Sequence, residues 1–153
     1  MHCHVYHEGV GKKGGTNVAS LIVKTLREMK LLQDNEIGGE VNIIFDNCSG
    51  QNKNNSVLKL AMWLKEMRYF KRVSFVFLIG GHTKNACDRL FNSLKHEYRK
   101  KNIFTMDELI VALGVSAKIT VVPTVASNFL DYDGAFKASY IELSGLVKHN
   151  HIF

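Results

Sequence analysis

Residues 41–54 read Val-Asn-Ile-Ile-Phe-Asp-Asn-Cys-Ser-Gly-Gln-Asn-Lys-Asn. The run from Val41 to Phe45 is nearly all apolar and stops at Asp46. Such a run reads as a strand buried on both faces, the habit of parallel sheets. A polar loop follows. From Ser56 to Met67 the apolar positions 57, 60, 61, 64 and 67 make a helical stripe, with Asn55 or Ser56 as its cap. The pattern then repeats. Val73 to Ile79 reads as a second buried strand and GGHTKNA (80–86) as a polar loop. Cys87, Leu90, Phe91, Leu94 and Tyr98 stand at helical spacing.

Upstream, residues 2–8 alternate in the manner of a short strand. GVGKKGGT (9–16) is turn-rich, and Asn17 to Leu32 has helical period behind a Thr16 or Asn17 cap. Strand and helix therefore alternate three times before residue 101. That order predicts an α/β sheet of parallel strands with flanking helices and right-handed crossovers. Downstream, Thr105-Met-Asp-Glu108 matches a capping box opening a short helix to Leu113. Lys118 to Val122 is expected as a strand, SNFLDYDGA (127–135) as loop, Phe136 to Leu143 as an edge strand, and the tail from Gly145 as frayed. Residues 1–113 form the main body, and 114–153 a small α+β extension of the same domain.

The chain has 153 residues, 20 Lys and Arg against 14 Asp and Glu, and a formal charge of +6. That balance favours acidic partners, nucleic acid first among them. Mean hydropathy is −0.06, and no apolar run approaches the length of about 18 residues needed to cross a bilayer. No membrane association is expected. Cys3, Cys48 and Cys87 are an odd, widely spaced set without a CxxC pair. They fit a reducing, intracellular compartment rather than a disulfide framework.

In parallel sheets ligands bind just beyond the carboxyl ends of strands. Asp46 stands at such an end, followed by Asn47, Ser49, Gln51, Asn52, Lys53 and Asn54. A carboxylate followed by amides suits a hydrated divalent cation and a phosphate. An ordinary polar turn would use the same residue types. His82 follows the second strand in the same way, and Asp88 lies one to two turns into the next helix. If the two strands are neighbours, about 4.8 Å apart, Asp46 and His82 emerge on one rim. Two carboxylates and a histidine near basic loops suit metal-assisted phosphoryl chemistry.

Here a resemblance becomes specific. FDNCSGQNKN (45–54), then a helix and a strand, then GHTKNACDRLF (81–91) resembles an uncharacterised domain family of eukaryotic transposon-derived proteins. That family is similar to transposases and integrases with a ribonuclease-H-like fold. KKGGTNVAS (12–20), four residues after Glu8, also fits, and the likeness spans about residues 4 to 113. It implies a partial ribonuclease-H-like fold and metal-dependent phosphoryl transfer on DNA, in the nucleus. Asp46 would match the second catalytic acid and a metal ligand, Asp88 the acid of the final helix and a second ligand, and His82 a stabiliser of phosphate charge. Asn47, Gln51, Asn52 and Lys53, with Lys12 and Lys13 of the basic loop, would touch nucleic acid. The implied cofactor is Mg²⁺ or Mn²⁺.

Two departures stand out. The family's first strand carries the first acid, and residues 2–8 would correspond to its third strand. Lys95 occupies a position that is acidic in family members. The chain is therefore expected to be a fragment lacking one acid and inactive alone. Without the first strand, the strand ending at Asp46 keeps an unpaired apolar edge, open to self-association, to a partner or to re-pairing with the chain's own residues 117–143.

Other constellations are weaker. Gly9-Val-Gly-Lys-Lys-Gly14 matches G-x-G-x-x-G, but the strand before it is polar and alternating, and Gly15 stands where a P-loop needs lysine. His2, Cys3, His4 and His7 hint at zinc, yet alternation sends Cys3 and His7 to the face opposite His2 and His4.

Overall fold

A computed structural model gives the architecture, and it describes residues 1–33, 37–78, 86–116, 118–145 and 151–152. The chain divides into two compact units that interleave along the sequence. One holds residues 1–12 and 83–126, the other 13–82 and 127–153. Both the stretch to residue 113 and the extension after it contribute to each unit.

The larger unit begins with α1 (Gly15–Glu28), β2 (Gly38–Phe45), α2 (Asn55–Glu66) and β3 (Phe70–Phe77). It closes with α5 (Tyr132–Ser139) and β5 (His151–Ile152). β2 and β3 pair in parallel, from Gly38 opposite Phe70 to Phe45 opposite Phe77. The two strands are thus neighbours, as the twin strand-then-loop pattern predicts. β5 pairs antiparallel with β3 through Phe75–Ile152 and Val76–His151, so this part of the tail is a strand. The strand order is β2-β3-β5, which leaves β2 at the edge.

Apolar spacing explains the core. Ala19, Val23 and Leu26 of α1 and Val57, Leu60 and Leu64 of α2 are buried against Val73, Phe75 and Phe77 of β3. Phe45 stacks on Phe77 at 5.3 Å between ring centroids and meets Phe75 edge-on at 5.1 Å. Aromatic pairs at such separations add roughly 0.5–1.5 kcal/mol beyond the area they bury.

β2 departs from its expected burial on both faces. Val41, Ile43 and Phe45 face the core, whereas Glu40, Asn42 and Ile44 are exposed. Two polar residues at alternate positions set that outer face, and the apolar Ile44 simply follows the pleat.

α5 replaces the loop and edge strand expected over 127–143. Phe136, Ala138 and Tyr140 alternate, but Tyr132, Phe136 and Tyr140 also stand four apart, and the helical period wins. Asp131 caps the helix by accepting from the Gly134 amide at 2.9 Å. Tyr132 and Phe136 then pack on Trp63 of α2, at centroid distances of 6.2 and 6.4 Å. Trp63 is thus a packing residue.

Gly14 and Gly15 set the entry to α1. Gly14 has φ 153°, ψ 168°, a conformation side chains disfavour. At Gly15 a Cβ would collide with the side-chain amide of Asn54. The N-termini of α1 and α2 therefore meet closely. Thr16 and Asn17 do not cap α1. Thr16 instead bonds the Leu130 carbonyl and accepts from the Asp133 amide at 3.2 Å.

The smaller unit comprises β1 (His2–Val5), α3 (Ala86–Tyr98), α4 (Met106–Leu113) and β4 (Thr120–Pro123). β1 and β4 pair in parallel as a two-stranded sheet, His2 opposite Thr120 and Val5 opposite Pro123. Proline is tolerated at this strand end. Leu94, Leu113 and Ile119 form the core, with Cys3, Val5 and Tyr98 against it. The expected capping box is complete: Thr105 accepts from the Glu108 amide and Glu108 accepts from Thr105. All three cysteines are free thiols.

Candidate functional site

The rim at the carboxyl ends of β2 and β3 is built from the loop that links β2 to α2. The Cys48 carbonyl accepts three backbone amides, from Gln51 at 3.3 Å, Asn52 at 2.8 Å and Lys53 at 3.0 Å. That bonding folds the loop back on itself. Asn54 locks its end by accepting from the Val57 amide at 3.1 Å and donating to the Gln51 carbonyl at 2.9 Å. The α2 cap is thus Asn54, one residue before the two expected. Asn55 is engaged elsewhere, accepting from the Leu143 amide at 2.8 Å.

On this frame Asp46 is exposed directly after β2, and the Asn52 side chain donates to its Oδ1. Asn47 is exposed, while Gln51 and Asn52 are half-buried. Lys53 is only 3% exposed, and its Nζ lies 5.8 Å from the centroid of the Phe77 ring. A ring face offsets part of the cost of burying an ammonium. Lys53 therefore supplies positive charge beneath the loop rather than a donor on its surface. Lys12 and Lys13 are exposed on the approach to α1.

Asp88 is exposed on the first turn of α3, in the smaller unit. His82 lies outside the described residues. Among the described residues, then, the loop brings together Asp46, Asn47, Gln51, Asn52 and Lys53, while Asp88 belongs to the other unit. No three His, Cys, Asp or Glu side chains gather as a metal-binding group among them, the His2, Cys3, His4 and His7 set included. The donor chemistry at Asp46 is hard oxygen, which suits Mg²⁺ or Mn²⁺ held largely by water. One carboxylate does not make a two-metal cage, so no catalytic step follows from these residues.

Sequence reading missed Asn54 as the residue that shapes the loop. Its signal was present, since Asn three residues before the first buried position of a helix, Val57, is a strong cap.

In open α/β sheets ligands bind beyond the carboxyl ends of parallel strands, and the loop after β2 occupies that place. The chain belongs to the family described as a domain of unknown function, DUF7869, whose pattern matches residues 4–153. No curated protein and no solved structure matches it. Among the described residues no helix is long and apolar enough to cross a membrane.

Proposed function

We propose that the chain is a nucleic-acid-binding part of a transposase- or integrase-like domain with a ribonuclease-H-like fold. It binds DNA in the nucleus at the rim where β2 ends. The observation that carries this reading is Asp46, placed at the head of a structured amide-rich loop beside a parallel neighbour strand. Asn47, Gln51 and Asn52 offer hydrogen bonds to phosphate, Lys53 adds charge from below, and Lys12 and Lys13 extend the basic approach. Asp46 takes a hydrated Mg²⁺ or Mn²⁺, which shields the carboxylate from the phosphates.

The net charge of +6 supports a polyanionic partner. A labelled DNA duplex titrated at two salt concentrations tests the reading. Binding weakens by about tenfold or more between 50 and 200 mM salt if several phosphates are neutralised. The double variant Lys12→Glu, Lys13→Glu binds more weakly than the parent. Salt-independent binding, or equal binding by the variant, removes the basic loop from the interface.

A second reading, a binding or assembly module without chemistry of its own, is favoured by the single carboxylate that the loop presents. It shares the DNA interface and differs in lacking cleavage.

A further inference from the structure

The start of α1 has donors and no acceptor. Its backbone amides at Gly15, Thr16 and Asn17 precede the first intrahelical bond, which Val18 makes to the Gly14 carbonyl at 3.2 Å. No side chain caps them, and the first turn holds no acid. Helix starts usually carry Ser, Thr, Asp or Asn as a cap. Here Gly14 stands in that place. The one hydroxyl in the turn, Thr16, is turned to the Leu130 carbonyl and the Asp133 amide. Three N–H groups at the positive pole of a 14-residue helix are thus without a protein acceptor among the described residues.

A second observation lies beneath them. Asn17 is 8% exposed, and its side-chain Nδ2 is buried with no hydrogen-bond partner, the one such atom among the described residues. A buried donor left without an acceptor is destabilising and calls for a reason. Asn17 is the third residue of α1, and helical side chains lean back toward the N-terminus. Its donor therefore points into the same first turn as the three amides. The approach is open on the Gly14 side. Nothing lies within 4 Å of where a Cβ there would stand, whereas at Gly15 a Cβ would meet Asn54. Lys13, exposed, adds positive charge beside the opening. The Asp133 carboxylate is turned to Ser56 at 2.7 Å and Lys137 at 3.0 Å.

We propose that the start of α1 is a phosphate-binding site, in which phosphate oxygens accept from the amides of Gly15, Thr16 and Asn17 and from Asn17 Nδ2. A helix start with free amides takes an anion. Four converging N–H donors favour a tetrahedral oxyanion with several acceptor oxygens over a carboxylate with two. Glycine at 14 and 15 lets the group come up to the backbone. The site is not a P-loop, because Gly15 replaces that motif's lysine. Backbone and Asn17 hold the phosphate instead. Its source in the reading above is the DNA backbone, and in this respect the proposal rests on that reading. It turns the basic approach at Lys12 and Lys13 from a diffuse charge into a seat for one phosphate. A free phosphate ester presents the same oxygens.

Proton–nitrogen NMR of the full chain at constant ionic strength tests this, with inorganic phosphate in one arm and a short DNA duplex in the other. The expected result is saturable shifts of the Gly15, Thr16 and Asn17 amides and of the Asn17 side-chain NH₂ in both arms. Shifts with phosphate alone assign the site to a free phosphate ester, and shifts with DNA alone to the backbone diester. Asn17→Ala removes one donor and weakens that binding by about tenfold. Asn17→Asp sets a carboxylate among the donors and abolishes it. Asn17 Nδ2 has no bond to lose, so both variants keep the circular dichroism spectrum of the parent. Absence of these shifts in both arms overturns the proposal, as does equal binding by the parent and both variants. DNA binding that keeps its steep salt dependence while these groups stay unmoved removes the site and leaves the nucleic-acid reading standing.

Discussion

The Ser56 hydroxyl donates to the Asp133 carboxylate across 2.7 Å and so ties the first turn of α2 to the first turn of α5. The backbone amide of Asp133 in turn donates to Thr16 Oγ1 at 3.2 Å, and Lys137 pairs with its carboxylate at 3.0 Å. Three helix starts, α1, α2 and α5, therefore meet around one aspartate. The segment after residue 127 is fixed to the larger unit there, and at Asn55 with Leu143.

That arrangement sets a pH dependence. The Ser56 bond, and after it the Lys137 ammonium, hold the Asp133 carboxyl below its ordinary value. A depressed carboxyl contributes stability above its unfolded value, about 3.9. The contribution is lost as pH falls through the lower folded value. Because the carboxylate is partly exposed, the effect on global stability is small. The expected readout is an NMR titration midpoint for Asp133 below 3.9 that moves upward in Ser56→Ala. A midpoint at the ordinary value in the parent chain contradicts the Ser56 tie.

The aromatic ladder of α5 makes a stronger demand. Phe136 is 4% exposed and packs between Trp63, Tyr132 and Tyr140. Its truncation to alanine removes a buried ring and leaves a cavity, at a cost of about 3–5 kcal/mol. Phe136→Leu keeps much of the volume and costs less. Chemical denaturation followed by the fluorescence of Trp63 separates the two. Equal stability of Phe136→Ala and the parent would show that α5 does not dock on α2.

These contacts explain what the sequence could and could not reveal. The alternation of apolar strands with helical stripes in residues 41–77 is a local pattern, so β2, α2, β3 and the parallel pairing of the strands were legible. Residues 132–140 satisfy both periods at once, and the choice falls to Trp63, far away in sequence. The exposed face of β2 was written in Glu40 and Asn42, but Ile44 made the run look continuous. The β1–β4 pairing joins residues more than a hundred positions apart, and no local signal specifies it. At the rim, Asp46 and its loop followed from the strand end, whereas Asp88 and its membership of a second unit did not.

Asn54 offers a test of how the loop is held. Its side chain caps α2 and also donates to Gln51. Asn54→Ala loses both bonds, and loss of the cap alone costs about 1 kcal/mol. Asn54→Asp keeps the acceptor for Val57 and loses the donor to Gln51. The expected order of urea midpoints is parent, then Asn54→Asp, then Asn54→Ala. Hydrogen exchange at Gln51 and Asn52 quickens in both variants. Identical midpoints for parent and Asn54→Ala would remove the cap from the account.

The last expectation separates a binding module from a nuclease. Two-metal catalysis fixes both ions on either side of one phosphate and draws on several carboxylates. Asp46 is in one compact unit and Asp88 in the other. Glu97 follows Asp88 by nine residues, and at about 100° per residue it stands half a turn round α3, on the opposite side. It is also engaged by Lys100 at 3.3 Å. Glu8, exposed after β1, is the remaining acid beside the basic loop. The chain is therefore expected to bind DNA with steep salt dependence and to leave plasmid uncut with Mg²⁺ or Mn²⁺. Calorimetry should show weak metal binding that Asp46→Asn diminishes, since a lone carboxylate with waters is a poor cage. Metal-dependent nicking that disappears in both Asp46→Ala and Asp88→Ala would overturn this expectation. It would require the two aspartates to act on one phosphate, with Glu8 as the third ligand to test.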